Sequence, residues 1–161
     1  MATVPRVEFE NSVLDIDLKD QRRSMDLIQN EIIQRILGDK KFLYQDNVRF
    51  RKITKNDNIK QTIDKLQKDN LKEEIQCFYS YGIHLQKMLS VIEIYKRVVK
   101  NSSTKLEQYN KLTNFVAIEE GRNVLLEKKT RIPVLIVFIS AEQNKTLERD
   151  LLIQKKFTKQ T

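Results

Sequence analysis

Two predicted strand-to-helix junctions carry the side chains of this chain that are best suited to bind phosphate. Residues 48–53 read as a strand and a helix opens directly after them; residues 75–80 repeat this transition into a longer helix. Backbone N–H groups at helix starts and lysine side chains both bind phosphate oxygens. The residues concerned are Lys55, Asn56, Asn58, Lys60, Tyr81, Gly82, His84, Gln86 and Lys87. Together the two junctions predict a phosphate-binding surface.

Catalytic chemistry has little support in the sequence. The chain contains one histidine, His84, and one cysteine, Cys77, so no cluster of these residues can hold zinc. No glycine-rich phosphate loop, nucleophile elbow or pair of catalytic carboxylates is recognisable. Cys77 lies in a predicted strand beside Phe78, which predicts a buried, unreactive thiol. We therefore expect a binding protein rather than an enzyme, with no catalytic residue, metal site or cofactor.

The charge of the chain is uneven. The formal net charge is +8, with −2 on residues 1–30 and +10 on residues 31–161. A positive field on the folded part is the sign expected for a polyanionic partner. A solvated, lysine-rich surface with no nucleic-acid partner fits the same numbers equally well. Charge alone does not separate these two interpretations.

Length and hydropathy limit the class of protein. A chain of 161 residues is long enough for one domain with appendages. Its longest apolar run, Ile132 to Ile139, is far short of the ~20 residues that a bilayer requires, so no membrane partner is expected. Acidic residues near the start argue against a signal peptide. A single cysteine fits a reducing compartment, the cytosol or the nucleus.

The chain divides into four predicted parts. Residues 1–19 are predicted to be a flexible acidic arm, and residues 20–46 a helix and linker with Gly38 ending the helix. Residues 47–140 form the main domain. Residues 141–161 form an extension with a short helix within 142–154 and a basic tail.

Within the main domain the elements alternate. Strands are predicted at 48–53, 75–80, 109–118 and 132–139, with helices after the first two strands and a charged loop at 119–131. Thr54 and Asp57 match a capping box that would start the first helix. This order predicts a two-layer α/β sandwich, an α+β arrangement with a mixed sheet and an added N-terminal helix.

The second helix of the domain has an unusually wide apolar arc. One stripe faces the sheet, and Val91, Ile94 and Val98 form another alongside it. A helix that is apolar over so much of its circumference is either deeply buried or covered by a second chain, and we favour the second chain. The predicted partner interface consists of Met88, Val91, Ile92, Ile94, Tyr95 and Val98.

Several segments resemble a known family. An apolar strand, Tyr81-Gly82 and then a helix with Lys87 and Ile92-Glu93-Ile94 are similar to the Alba family, in which Thr54-Lys55 would occupy the place of a Gly-Lys-Lys turn. The chain resembles more closely the larger Alba-like subunits of fungal ribonuclease P and ribonuclease MRP. The segments that carry this resemblance are residues 55–60, 81–89, 110–113, 120–123 and 157–160.

The resemblance implies a β-α-β-α-β-β Alba-like domain with a non-catalytic role. Such subunits form a heterodimer with a smaller Alba-like subunit and bind an internal-loop stem of the ribonuclease P or ribonuclease MRP RNA, among other ribonucleoprotein subunits. The RNA performs the cleavage that matures tRNA 5′ ends and processes precursor rRNA. The resemblance also implies the nucleus and nucleolus as locations, and telomerase RNA as a further partner.

On this hypothesis basic side chains neutralise phosphates and polar ones contact sugars or unpaired bases. Besides the junction residues, the basic set comprises Arg49, Arg51, Lys52, Arg122, Lys128, Lys129 and Arg131. Three other classes stay open. An architectural DNA- or chromatin-binding protein of the Alba type would share the fold and charge, a scaffold would bind only protein, and an enzyme is the third.

Overall fold

One mixed sheet organises the molecule. The computed structural model describes residues 5–38, 47–102, 104–121, 126–144, 147 and 150–160. In these ranges seven strands form a single sheet, in which β7 also pairs with β5 and the other strands have the order β2-β1-β5-β6-β4-β3. Apolar side chains alternate between its two faces, and each face is covered by helices.

The strand–helix–strand–helix–strand–strand order predicted for the main domain is confirmed. The elements are β3 (Val48–Lys52), α3 (Ile59–Leu66), β4 (Ile75–Tyr81), α4 (Leu85–Lys100), β5 (Leu106–Glu119) and β6 (Lys128–Ala141). β3 and β4 are parallel, whereas β6 runs antiparallel to both β4 and β5. Helices α3 and α4 cover one face of the sheet through a core that includes Phe78, Met88 and Val137.

The predicted N-terminal helix is also present, and it covers the other face. It consists of α1 (Gln21–Leu27), a π-helical segment (Ile28–Ile32) and α2 (Ile33–Leu37). Asp20 caps its start by accepting from the backbone N–H of Arg23, and Gly38 ends it with a φ of 67°. Its apolar stripe packs in one core with Tyr79 and Phe138. The mixed α/β sandwich is confirmed, and this helix adds a layer.

The prediction of a flexible acidic arm is wrong for residues 6–14. They form a hairpin of β1 (Arg6–Phe9) and β2 (Ser12–Leu14), and β1 pairs with β5. Glu10 and Asn11 both have positive φ, as a tight two-residue hairpin turn requires. The sequence prediction missed this hairpin because acidic residues alternate with its apolar ones. Val7 and Phe9 nevertheless point into the core.

The C-terminal extension is also ordered in its described part. It contains α5 (Leu151–Lys156) and β7 (Thr158–Gln160), and residues 145–146 and 148–149 of the predicted short helix lie outside the described residues. The basic tail is therefore a strand at its described end, paired with residues 108–110 of β5. No helix in the described ranges has both the length and the apolar character to cross a membrane.

Candidate nucleic-acid interface

Parallel pairing of β3 and β4 brings the two predicted junctions together at one edge of the sheet. The register places Lys52 opposite Tyr79, so both strands end at the same edge. Ser80 Oγ donates to the carbonyl of Ile53 over 2.6 Å. The backbone N–H of Lys55 donates to Nδ1 of His84 over 2.9 Å. The β3–α3 turn therefore lies directly against the start of α4.

The turn at the first junction is closed by hydrogen bonds within the chain. The Asp57 carboxylate accepts from the backbone N–H and the hydroxyl of Thr54, both over 2.9 Å. The N–H of Asp57 donates back to the carbonyl of Thr54 over 3.1 Å. Lys55 and Asn56 occupy the two central positions of this turn, and both side chains are exposed. The sequence thus builds a turn, closed by three hydrogen bonds, whose tip presents a cation and an amide to solvent.

The capping-box prediction is wrong in its position. Thr54 and Asp57 do bond to each other, but the bonds close the turn and the helix begins only at Ile59. The N-cap is Asn58, whose side-chain oxygen accepts from the N–H of Gln61 over 3.0 Å. Asn58 is exposed, so its contact with RNA stays a prediction, and its side-chain oxygen also starts α3.

The basic residues predicted in the 119–131 loop belong largely to a strand. Val134 of β6 pairs with Tyr81 at the end of β4, so residues 128–133 extend beyond the junction edge. Pairing with β5 continues to Glu119 opposite Lys128, which is why Lys128, Lys129 and Arg131 lie on β6 instead of a loop. All three are exposed. Arg122 lies outside the described residues.

Two predicted RNA contacts at the second junction are buried. Tyr81 packs in the core, and its hydroxyl donates to the carbonyl of Leu18 over 2.8 Å. His84 is only 4% exposed and meets the Tyr81 ring edge-to-face, with centroids 5.2 Å apart. Burial, reinforced by the charge of Lys55, holds the pKa of His84 below its ordinary value, although Asp57 acts in the opposite direction. Assigning these two side chains to direct RNA contact was wrong.

The arginines of β3 are engaged within the chain. Arg49 forms an ion pair with Glu74 at 3.1 Å. Arg51 pairs with Asp69, which also accepts from the Gln76 amide over 2.7 Å. Burial acts to raise the pKa of Asp69, but the hydrogen bonds from Gln76 and Arg51 outweigh it and the pKa lies below its ordinary value. The two arginines were predicted to bind RNA; in the structure their charge is balanced by neighbouring acids.

The remaining predicted residues lie together at one end of the sheet, and we call them the junction surface. Its cations form no ion pair within the described part of the chain. Gly82 takes a φ of 54°, and a Cβ there would lie 3.4 Å from Ile132, which places β6 beside the second junction. The junction surface comprises Lys52, Lys55, Asn56, Lys60, Gly82, Gln86, Lys87, Lys128, Lys129 and Arg131.

One further residue of this edge was missed from the sequence. Ile83 is 70% exposed, directly between Gly82 and the buried His84. An apolar residue between two predicted contacts gave no polar signal, and only the short 3-10 turn of Gly82–His84 turns its side chain outward. Unstacked bases usually stack on aromatic or arginine side chains beside cations, and the exposed Ile83 offers an aliphatic contact surface in such a position.

A comparison with known proteins identifies a relative of this chain. No protein-family model matches the chain. The chain is 32% identical over 133 residues to the ribonucleases P/MRP protein subunit POP6 of Saccharomyces cerevisiae, covering 78% of this chain and 83% of that protein. The chain belongs to the POP6-like family of ribonuclease P/MRP protein subunits. The resemblance to fungal ribonuclease P and ribonuclease MRP subunits seen in the sequence is thereby confirmed.

The α4 helix of this POP6-like chain buries most of its predicted partner interface internally. Met88, Val91, Ile92 and Tyr95 are within the core shared with α3 and the sheet, so their side chains are not available to another chain. The wide apolar arc arises because α4 packs on both α3 and the sheet. The prediction was wrong for these four residues. For the 37%-exposed Ile94 and the half-buried Val98 it stays a prediction.

A different flank of α4 exposes more apolar surface. Leu89 is 52% exposed and lies one turn after Leu85, which packs against the α3–α4 core together with Leu135 of β6. Leu135 pairs across the sheet with Leu112 of β5, which is 67% exposed. We call Leu85, Leu89, Leu112 and Leu135 the leucine patch.

Among the described residues, no three side chains suited to bind a metal converge at this patch or elsewhere.

Proposed function

We propose that this chain is an RNA-binding protein subunit of ribonuclease P and ribonuclease MRP, with an accessory role in tRNA 5′ maturation and precursor rRNA processing. Its membership of the POP6-like family supports a role in these ribonucleoproteins. A subunit of these particles works in the nucleus, and we extend the proposal to the nucleolus. Telomerase RNA remains a further proposed partner.

The observation that carries the RNA-binding proposal is the junction surface. Its cations come from the end of β3, the β3–α3 turn, the starts of α3 and α4 and the extended end of β6, all at one end of the sheet. They are exposed or half-buried, and the described residues supply them with no acidic partner. A set of uncompensated cations on a rigid edge is the arrangement expected of a phosphate-backbone contact.

The mechanism follows from the side-chain chemistry of this surface. The lysines and Arg131 would neutralise phosphates along the RNA backbone, and the amides of Asn56 and Gln86 would contact sugars or unpaired bases. Internal loops are the places where RNA bases are open to such contacts. Ile83 would pack against an unstacked base. In this account the protein binds and stabilises the RNA fold, and the RNA performs the cleavage.

The salt dependence of binding tests the proposal. Replacing Lys55 and Lys87 together by glutamine removes two junction cations without adding bulk. Each phosphate contact contributes roughly 0.7–0.9 to the slope of log K against log salt concentration, so we expect the slope to fall by roughly 1.4–1.8 and affinity to weaken. Binding of in-vitro-transcribed ribonuclease P RNA to the full chain is measured by filter binding over a salt series.

A matched control separates this site from general charge. Lys155→Gln with Lys156→Gln removes the same two charges from α5, and both residues are exposed. We expect this variant to keep most of the slope. If both double variants lose equal slope, or neither loses any, the junction surface is not the RNA site. Duplex DNA that competes as well as the RNA would favour the architectural DNA-binding alternative.

We further propose that a second, smaller Alba-like subunit covers the leucine patch to form the heterodimer. The patch is formed by residues of α4 and of the long β5–β6 pair. Its exposed members are Leu89 on a helix and Leu112 on a strand. Burying one leucine side chain contributes about 1.5–3 kcal/mol, so covering Leu89 and Leu112 would stabilise a complex appreciably.

Two aspartate variants of α4 test whether the partner binds the leucine patch or the opposite flank that contains Ile94. Leu89→Asp lies in the leucine patch, whereas Ile94→Asp lies on the flank predicted from the sequence, and both side chains are exposed enough to leave the fold intact. We expect Leu89→Asp to abolish co-purification with the co-expressed partner and Ile94→Asp to retain it. The reverse result would place the partner on the Ile94 flank.

A further inference from the structure

His84 contacts residues of both junctions: Tyr81 of the second junction and the Lys55–Asn56 turn of the first junction. Its Nδ1 accepts from the backbone N–H of Lys55 over 2.9 Å, and its ring contacts Tyr81, whose hydroxyl donates to the Leu18 carbonyl. The ring is almost fully buried. The exposed tip that carries Lys55 and Asn56 is therefore held by a side chain that itself has little access to RNA.

We propose that neutral His84 is a positioning residue for RNA binding, whose acceptor nitrogen fixes the Lys55–Asn56 tip against the start of α4. The inference rests on the proposed function and deepens it, because it specifies how the junction surface is kept in a binding geometry. A neutral imidazole accepts at Nδ1 with its proton on Nε2. A protonated ring carries a hydrogen on both nitrogens, so it would face the Lys55 N–H with a second donor and release the tip.

The groups that face the ring determine the direction of the pH effect. They are Lys55 and Asp57 from the turn and Tyr81 from the end of β4. Burial and the Lys55 charge together lower the pKa of His84 in the folded chain. The stabilisation from this hydrogen bond is therefore fully present above the ordinary histidine pKa of about 6.5, and it is lost as the pH falls through the lower folded-state pKa.

This sign distinguishes positioning from direct contact. A histidine that touched phosphate would gain positive charge on acidification and bind RNA more tightly. A histidine that positions the tip through a neutral acceptor would weaken RNA binding on acidification. Because His84 is the chain's one histidine, its titration can be observed without interference from another imidazole.

The experiment measures affinity of the full chain for in-vitro-transcribed ribonuclease P RNA between about pH 7.5 and 5 at fixed ionic strength, beside an NMR titration of the imidazole. We expect binding to weaken by about 3- to 10-fold as the pH falls. The midpoint of this loss should coincide with the midpoint of the imidazole titration followed by NMR. His84→Asn, whose side-chain oxygen can replace Nδ1 but does not titrate, should bind like the neutral wild type at every pH. His84→Leu should bind weakly at every pH.

Hydrogen exchange of the Lys55 amide provides a readout without RNA. Its protection factor, the intrinsic exchange rate divided by the observed rate at the same pH, should be high in the wild type and His84→Asn at neutral pH. The protection factor should be low in His84→Leu and in the acidified wild type. A Lys55 amide that exchanges fast in the neutral wild type overturns the positioning role whatever the RNA result. Tighter binding on acidification, or wild-type affinity in His84→Leu, also overturns it. Slow exchange with no RNA binding at neutral pH overturns instead the proposed function, and the inference with it.

Discussion

At the scale of single residues, neighbouring cations on the short strand β3 have different surroundings. Arg51 is half-buried and paired with Asp69, whereas its neighbour Lys52 is exposed and has no ion pair in the described structure. Successive strand residues point to opposite faces, so one face of β3 brings its arginines to acids and the other leaves Lys52 in solvent. The sequence shows three cations in four residues and contains no local signal for which of them are neutralised.

A pair of glutamine variants tests this division. We expect Arg51→Gln to lower the free energy of unfolding by about 1–3 kcal/mol, because it leaves the partly buried Asp69 without its charged partner. Because the pKa of Asp69 is lowered in the fold, this stability difference should be present above about pH 4 and should shrink as the pH falls further. Urea denaturation of both chains over a pH series measures it.

Lys52→Gln serves as the control for that pair. It should change stability by less than about 0.5 kcal/mol, as exposed substitutions usually do, and lower the salt slope of RNA binding by roughly 0.7–0.9. If Arg51→Gln instead leaves stability unchanged and lowers the salt slope, Arg51 contacts RNA as the sequence suggested.

At the scale of elements, the periodic segments were predictable and the short ones were not. Four strands and the helices after the first two follow from runs of apolar residues with clear periods, and Gly38 marks a helix end that the structure reproduces. The β1–β2 hairpin has only seven residues in its strands, and the acidic Glu8 separates its core positions Val7 and Phe9. Its stability comes from pairing with β5, far away in the sequence, which no local pattern reports.

Phe9 tests whether this hairpin is part of the core. Its side chain is fully buried and meets Phe115 edge-to-face with centroids 6.2 Å apart. We expect Phe9→Ala to reduce the free energy of unfolding by about 3–5 kcal/mol. Val13→Ala in the same hairpin removes an exposed side chain and should cost less than about 0.5 kcal/mol. Equal, small losses in urea denaturation would show that residues 6–14 behave as the flexible arm.

At the scale of the whole molecule, the packed helical layers and the proposed binding surface lie on different parts of the sheet. The N-terminal helix and α5 cover one face, and α3 and α4 cover the other. The junction surface lies at the end of the sheet where β3 and β4 lead into α3 and α4 and where β6 extends beyond β4. The order of elements along the main domain followed from the sequence, and the parallel pairing of β3 and β4 places the two junctions at one edge. The burial of Tyr81 and His84 did not follow from the sequence, because it depends on contacts with Leu18 and Lys55 from distant segments.

The most direct test of the account is to map which residues of the full chain crosslink to ribonuclease P RNA. Ultraviolet irradiation of the reconstituted complex followed by mass spectrometry identifies the crosslinked peptides. We predict crosslinks at the β3–α3 turn around Lys55, at the start of α4 around Lys87 and on β6 at Lys129 to Arg131. Crosslinks confined to the opposite layer, in α1 around Arg22 or in α5 around Lys155, would contradict the assignment of the junction surface to RNA.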